Sequence, residues 1–191
     1  MSLTERSDLR NLTFILGGAR SGKSTYAESL AQANGERVLY VATAEILDDE
    51  MKRRVEIHQS RRPVSWSTLD APMQVAQTLE NHLQAKSYDA ILLDCVSLLT
   101  SNILLTLPEE SPEANAWEAV QQELAPILAV IRKHAATQWI LVSNEVGQGI
   151  VPAYSLGRLY RDVLGRANQF VAANAGNVFY MIAGLPMKLK G

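Results

Sequence analysis

A glycine-rich segment, GGARSGKST, follows the short apolar run LTFIL and precedes a segment with a helical pattern. Gly17, Gly22, Lys23 and Ser24 fit the pattern G-x-x-x-x-G-K-[ST], in which backbone N–H groups bind phosphate oxygens. In such a phosphate-binding loop (P-loop) the lysine reaches the β and γ phosphates, and the hydroxyl is a ligand of Mg²⁺. Because strand, loop and helix come in the required order, a chance glycine-rich turn is a poor explanation, and the sequence predicts a nucleotide-binding domain.

Apolar runs alternate with helical patterns along the rest of the chain. The runs RVLYVATA, VSWSTLD, YDAILLDC, QWILVSN and NVFYMIAG are predicted to be strands, with NVFYMIAG the last. The longest helical pattern, WEAVQQELAPILAVIRKHA, contains Pro126, which should kink it or split it in two. This alternation predicts an α/β fold with a mainly parallel sheet flanked by helices. Residues 1–11 are expected to be a polar N-terminal lead, and residues 12–191 a single domain.

Composition excludes several classes of protein. The chain has 191 residues, 47% of them hydrophobic, which suits one domain with a sizeable core. A net charge of -2 and a pI near 5.9 give no general attraction to nucleic acid or anionic membranes. Cys95 is the single cysteine, so an internal disulfide is excluded and a reducing compartment, by default the cytoplasm, is expected. No apolar run approaches the roughly 20 residues of a membrane span.

An aspartate, Asp94, closes the apolar run AILLD. The carboxyl edge of a parallel strand is where a second acid of a P-loop protein meets Mg²⁺. An aspartate at a strand end is often only a turn former. Beside a P-loop, a role for Asp94 as a magnesium ligand is the favoured interpretation.

A histidine, His58, lies among arginines in the stretch RRVEIHQSRRP. The preceding residues, LDDEM, suit a helix N-terminus, and at helical spacing Arg54, Arg61 and Arg62 flank the imidazole. A lone histidine is usually structural. Flanking cations, however, would attract a triphosphate and keep the ring neutral, which is what a nucleophile that attacks phosphorus requires.

Three classes of P-loop protein remain to be compared. A switch GTPase is disfavoured because the strand end LVSNEVG lacks the lysine and aspartate of an N-K-x-D loop. A small-molecule kinase fits the P-loop and Asp94, with His58 as part of a phosphate clamp. A regulatory protein in which nucleotide binding only orders a loop fits the same features.

Seven segments together carry a resemblance to one family. They are GGARSGKSTYAESLA, YVATAEILDDEM, RRVEIHQSRRP, LLDCVSLLTSN, VSNEVGQGIVP, GRLYRDVLGRANQ and AGLPMKLK. In this order, from Leu12 onward, they resemble the bifunctional adenosylcobinamide kinase / adenosylcobinamide-phosphate guanylyltransferase family of cobalamin biosynthesis. The resemblance implies a RecA-like P-loop fold, usually a homotrimer, that phosphorylates adenosylcobinamide with ATP or GTP. It also implies transfer of GMP from GTP to the product, with release of pyrophosphate.

The same resemblance implies a set of site residues. His58 is implied to be guanylylated, and Asp70 and Asp94 to bind nucleotide; the family usually has glutamate at the position of Asp70. Some members have a second histidine where this chain has Ile57. The remaining implied nucleotide-binding residues are Gly17, Gly18, Ala19, Arg20, Ser21, Gly22, Lys23, Ser24, Ala42, Thr43, Ala44, Gln59, Ser60, Arg61 and Arg62.

Other candidate residues are expected to have structural roles. His82 and His134 lie in helical patterns, and a histidine suits the negative end of a helix dipole. Three tryptophans, Trp66, Trp117 and Trp139, could stack on a corrin ring or on guanine, but packing in the core is the favoured interpretation. The segment NEVGQGIVP is compatible with either a site role or a subunit contact.

Overall fold

The structure, a computed structural model, describes residues 8–45 and 63–191. The strands are β1 (Leu9–Gly17), β2 (Val38–Ala42), β3 (Ser67–Asp70), β4 (Ala90–Asp94), β5 (Gln138–Asn144), β6 (Ala175–Ile182) and β7 (Leu185–Lys190). The helices are α1 (Lys23–Ala33), α2 (Val75–Leu83), α3 (Val96–Thr106), α4 (Glu113–Lys133) and α5 (Ser155–Asn174).

The strands of the described ranges form one sheet in the order β3-β2-β4-β5-β1-β6-β7. Every neighbouring pair is parallel except β6 and β7, which are antiparallel. Strand β1, which leads into the P-loop, lies inside the sheet, and β5 separates it from β4. The predicted α/β class with a mainly parallel sheet is confirmed.

Helices cover both faces of the sheet. One core cluster joins β1, β4 and β5 to residues of α2, α3, α4 and α5. The second cluster lies on the opposite face, where Ala27 and Ala31 of α1 pack against Ile15, Tyr40 and Leu92. Strands β2, β4 and β5 are buried along most of their length, which explains why they read as continuous apolar runs. In the described ranges no helix is both long enough and apolar enough to cross a membrane.

Two sequence-based boundaries differ from the structure. Strand β1 begins at Leu9, inside the predicted polar lead. Asn11 is buried there, and its amide is satisfied because it donates to the carbonyls of Ile131, His134 and Thr137. The predicted loop TLPEESPEANA is shorter than expected, because α4 already begins at Glu113 after Pro112. Proline suits a helix N-terminus, where an N–H would lack a partner in any case.

Helix α4 runs unbroken through Pro126, so the predicted split into two helices is wrong. Leu124, Ile127 and Leu128 are buried on either side of the proline, and this packing keeps both halves in one continuous helix. Tertiary burial therefore outweighs the local cost of proline in a helix interior.

The prediction that NVFYMIAG is the last strand is also wrong. A left-handed turn at Ala183 and Gly184 reverses the chain, and β7 adds an antiparallel edge strand. Leu185, Met187 and Leu189 of β7 are exposed. The sequence therefore offered no burial pattern by which this strand could be recognised.

Candidate active site

The P-loop turns sharply between the end of β1 and the start of α1. Gly22, the residue before α1, has φ 96°, and Arg20 has φ 57°, both in the left-handed region. The carbonyl of Gly18 accepts hydrogen bonds from Ser21 N at 3.3 Å and from Lys23 Nζ at 2.6 Å. These bonds close the loop upon itself.

Backbone carbonyls of the P-loop accept hydrogen bonds from protein donors, whereas several of its backbone N–H groups have no acceptor among the described residues. Gly17 O accepts from Glu145 N at 2.9 Å, and Ser21 O accepts from Gly184 N at 2.9 Å. The N–H groups of Ala19, Arg20 and Gly22 donate to no other residue within the ranges that the structure describes. With carbonyls engaged and amides free at the N-terminus of α1, the loop presents donors suited to an anion.

Lys23 is buried, with 8% of its surface exposed. Burial lowers the pKa of its ammonium below the usual value, while the charges of Cys95 and Asp94 act in the opposite direction. Burial raises the pKa of the Cys95 thiol to about 12, so this thiol stays protonated and Asp94 supplies the effective negative charge. Lys23 is thus a desolvated cation that a triphosphate would stabilise.

Several predicted site residues meet at the carboxyl edge of the sheet. Ala42, which ends β2, is paired with Asp70 of β3 on one side and with Asp94 of β4 on the other. Gly17, at the end of β1, is paired with Asn144 of β5. Since all these strands run in the same direction, their last residues lie along one edge, next to the P-loop.

Asp94 is held by a residue that the sequence interpretation missed. Tyr40 donates its hydroxyl to Asp94 Oδ2 at 2.9 Å, from the neighbouring strand β2. The signal in the sequence was a tyrosine within the apolar run RVLYVATA. This bond leaves the other carboxylate oxygen of Asp94 available to a ligand.

The donor chemistry near the P-loop fits Mg²⁺. Magnesium is usually bound through one or two protein oxygens together with phosphate oxygens and water. Ser24, in the first turn of α1, and Asp94 provide a hydroxyl and a carboxylate. Among the described residues no group of three His, Cys, Asp or Glu side chains is placed to hold a metal alone, so a nucleotide would have to complete the site.

The segment Ala42–Ala44 is fixed by its central residue. Thr43 is fully buried; its hydroxyl accepts from Cys95 N at 2.7 Å and donates to Cys95 O at 2.8 Å. Asn102, which sequence reasoning also missed, donates to the carbonyls of Thr43 and Pro72. Thr43 therefore positions the segment, and the predicted nucleotide contact is left to Ala42 and Ala44, which are partly exposed.

The predicted nucleophile and its neighbours are not among the residues that the structure describes. His58, Gln59, Ser60, Arg61 and Arg62 all lie in the gap between residues 45 and 63. Their roles stay predictions.

The other two histidines contact protein. His82 Nε2 lies 2.7 Å from the hydroxyl of Tyr88, and the two rings stack. His134 ends α4, and its carbonyl accepts the indole N–H of Trp139. These contacts agree with the structural roles expected for both residues.

The three tryptophans pack against neighbouring side chains. Trp139 is fully buried, Trp66 packs against the core on the α1 face, and Trp117 lies edge-on to Phe170. The expected packing in the core is therefore confirmed for Trp139, whereas Trp66 and Trp117 are partly buried and pack against the core.

Comparison with known proteins identifies the family. The family model for cobinamide kinase / cobinamide phosphate guanyltransferase matches residues 13–189. A bifunctional adenosylcobalamin biosynthesis protein of Pseudomonas aeruginosa is 42% identical over 177 residues, 93% of this chain and 96% of that protein. The corresponding proteins of Salmonella typhimurium and Escherichia coli are 38% and 36% identical over 184 residues, 94% of this chain and 99% of each relative.

The solved structures that match include the RadB recombinase. The RadB recombinase aligns with a TM-score of 0.46 and 14% identity, covering 88% of this chain and 73% of that chain. The family assignment rests on the sequence matches. The range that the family model matches, residues 13–189, includes the P-loop, Asp70 and Asp94. The chain belongs to the cobinamide kinase / cobinamide phosphate guanyltransferase family.

Proposed function

We propose that this protein phosphorylates adenosylcobinamide with ATP or GTP and then transfers GMP from GTP to adenosylcobinamide phosphate. The products of the second reaction are adenosylcobinamide-GDP and pyrophosphate. Family membership and the names of the relatives support the two reactions. We infer that the enzyme acts as a homotrimer, as the family resemblance suggests, and that it is located in the cytoplasm, the compartment that its single cysteine favours.

The observation that carries the proposal is the position of Lys23 beside the free P-loop amides, facing Asp94 across the same edge of the sheet. A triphosphate bound there would have its β and γ phosphates neutralised by Lys23. In the kinase reaction, an oxygen of the acceptor hydroxyl forms a bond to the γ phosphorus as the bond to the β-phosphate oxygen breaks. When bound between Ser24 and Asp94, Mg²⁺ would neutralise charge that develops on the phosphate oxygens.

Guanylyl transfer uses the same triphosphate differently. A ring nitrogen of His58 attacks the α phosphorus, and the bond to the β-phosphate oxygen breaks, so that pyrophosphate leaves. A phosphate oxygen of adenosylcobinamide phosphate then attacks the same phosphorus, and the imidazole departs. Two displacements replace one difficult nucleotidyl transfer, which is the usual advantage of covalent catalysis.

Four partners are proposed for the nucleotide in this reaction. Arg61 and Arg62 would contribute positive charge near the transferred phosphate, and Gln59 and Ser60 would contribute polar contacts to the nucleotide. The proposed role of these residues rests on their place next to His58 in the sequence.

Labelling with α-³²P-GTP tests the covalent step. Wild-type protein with Mg²⁺ should retain label after denaturation, and the label should be lost in mild acid and survive alkali, as a phosphoramidate does. His58→Ala and His58→Asn should not label, because neither side chain is a nucleophile. His134→Ala is the matched control and should label normally, since His134 only ends α4.

Three outcomes distinguish the proposal from its alternatives. Phosphorylation of adenosylcobinamide without any α label would indicate a small-molecule kinase in which His58 has no covalent role. Nucleotide binding with neither label nor turnover would indicate a regulatory protein. Equal labelling by α-labelled ATP and GTP would indicate a nucleotidyltransferase that does not select guanine.

A further inference from the structure

The C-terminal hairpin, which comprises β6, β7 and the turn at Ala183 and Gly184, lies against the P-loop. Its turn donates a hydrogen bond from Gly184 N to Ser21 O at 2.9 Å. A second bond to a P-loop carbonyl from a distant segment runs from Glu145 N to Gly17 O. A loop that binds anions through its amides needs its carbonyls directed away from the anion, and the hairpin fixes one of them in that direction.

Packing between the two segments is as close as the backbone allows. A Cβ added to Gly22 would lie 3.0 Å from the Cα of Gly184, and one added to Gly17 would lie 2.7 Å from Met181 O. Gly17 and Gly22 therefore face the hairpin at distances where a side chain would require the hairpin backbone to shift. The requirement for glycine at these two positions comes partly from the hairpin and not only from the phosphate.

Met181 fills the space beneath the loop. Its register partner on β1 is Gly17, and the side chain is buried. Its Cβ approaches the Gly17 position and its Cε the Gly22 position, at 3.1 Å and 3.7 Å from a Cβ built on each glycine. One side chain thus supports both ends of the loop, and Tyr26 of α1 packs edge-on to Phe179 of β6 beside it.

We propose that Met181 and the backbone amide of Gly184 are positioning residues for triphosphate binding in both reactions. They contact neither substrate nor reacting atoms; they hold the P-loop in the conformation that presents its amides to the β and γ phosphates. The proposal rests on the triphosphate site of the proposed function and does not depend on covalent transfer to His58.

Binding of GTP and GMP separates a positioning role from a general loss of stability. GMP lacks the β and γ phosphates, so a misplaced P-loop should weaken GTP alone. Inserting two glycines between Ala183 and Gly184 displaces the amide donor and should raise the Kd for GTP about tenfold, the scale of one lost hydrogen bond. The Kd for GMP, measured by displacement of a fluorescent guanine nucleotide, should change less than about twofold.

Two further variants keep the test decisive if the insertion impairs folding. Met181→Ala should weaken GTP relative to GMP, and Met181→Leu, which refills the space, should restore GTP affinity. The same two-glycine insertion between the exposed residues Glu109 and Glu110 is the control, and it should leave both affinities unchanged.

The proposal is overturned if the Ala183–Gly184 insertion and Met181→Ala bind GTP as tightly as the wild type. It is equally overturned if they lose affinity for GTP and GMP in the same proportion, because that pattern means general damage. Neither result bears on labelling at His58, so failure here and failure of the proposed function are distinguishable.

Discussion

Asp94 and Asp70 occupy equivalent positions on either side of Ala42, yet their surroundings differ. Asp94 ends the inner strand β4, is partly buried, accepts a hydrogen bond from Tyr40 and interacts with the charge of Lys23. Asp70 ends the edge strand β3 and is exposed, and its side chain makes no hydrogen bond or ion pair with any other residue that the structure describes. The same residue type at the same depth in the sheet is thus fixed in one case and free in the other.

This difference indicates how the two carboxylates should contribute. A carboxylate held in a partly desolvated position next to Lys23 interacts strongly with that ammonium and with a metal ion, because the local dielectric is low. An exposed carboxylate is surrounded by water and interacts with a ligand only weakly. Substitutions should therefore have effects that decrease from the P-loop toward the edge at β3.

Lys23→Ala should have the largest effect and reduce both the kinase and guanylyltransferase rates by at least about a hundredfold. Both reactions use the same β and γ phosphates, so the loss should affect both. Steady-state rates with adenosylcobinamide and with adenosylcobinamide phosphate measure this. Lys133→Ala, which removes an exposed lysine paired with Glu80, is the control. If Lys23→Ala keeps the full rate of guanylyl transfer, residues other than Lys23 bind the β and γ phosphates that leave as pyrophosphate.

Asp94→Asn should reduce the kinase rate by about thirtyfold to a hundredfold, because it removes a charge that can bind Mg²⁺ and face Lys23. Its fold should persist, since asparagine can still accept the hydrogen bond from Tyr40. Raising the Mg²⁺ concentration should recover part of the rate if the loss lies in metal affinity. A rate equal to that of the wild type would remove Asp94 from the metal site and end the contrast with Asp70.

Raising the pH should weaken ATP binding by about tenfold over the range in which free Lys23 loses its proton. Burial lowers the pKa of this ammonium, so deprotonation begins below the usual pKa of lysine. A bound triphosphate favours the protonated form and raises the pKa again. As the pH rises, the affinity for ATP should therefore start to fall near the pKa of Lys23 in the free enzyme and stop falling near its higher pKa in the complex. Calorimetric titration at successive pH values measures this, and Lys23→Met should show no such fall.

The features that local sequence patterns determine were predicted. The P-loop depends on spacing within GGARSGKST, and the buried strands depend on apolar runs, so both could be recognised without a structure. Asp94 was predicted for the same reason, because a carboxylate directly after a buried strand lies at the carboxyl edge of a parallel sheet.

The features that depend on contacts between distant segments were not predicted. Strand β7 is exposed at the edge of the sheet and has no burial pattern. The hydrogen bond from Tyr40 to Asp94 and the one from Gly184 to Ser21 join residues far apart in the chain. The continuity of α4 through Pro126 likewise depends on packing against the core, which no local rule contains.

Tyr40→Phe should reduce the kinase rate by about threefold to fivefold. The substitution removes the hydroxyl that orients Asp94 and leaves the buried ring in place. The free energy of unfolding should fall by about 1 kcal/mol, the net value of a typical hydrogen bond. Chemical denaturation and steady-state kinetics measure the two effects. Tyr154→Phe, at an exposed tyrosine, is the control and should change neither.

Asp70→Asn should have the smallest effect: a KM for GTP about twofold to threefold higher, with kcat unchanged. The carboxylate is exposed, and a hydrogen bond that it accepts from a nucleotide N–H or O–H group in water is worth only about 1 kcal/mol, part of which the asparagine oxygen keeps. The free energy of unfolding should stay within about 0.5 kcal/mol of the wild type, as for most surface substitutions. Asp70→Glu lengthens the side chain by one methylene. It should lower the KM for GTP if the aspartate is too short to reach the nucleotide fully. If Asp70→Asn instead lowers kcat as much as Asp94→Asn does, then the edge of the sheet takes part in the chemistry, and exposure is no guide to the role of a strand-ending carboxylate in this fold.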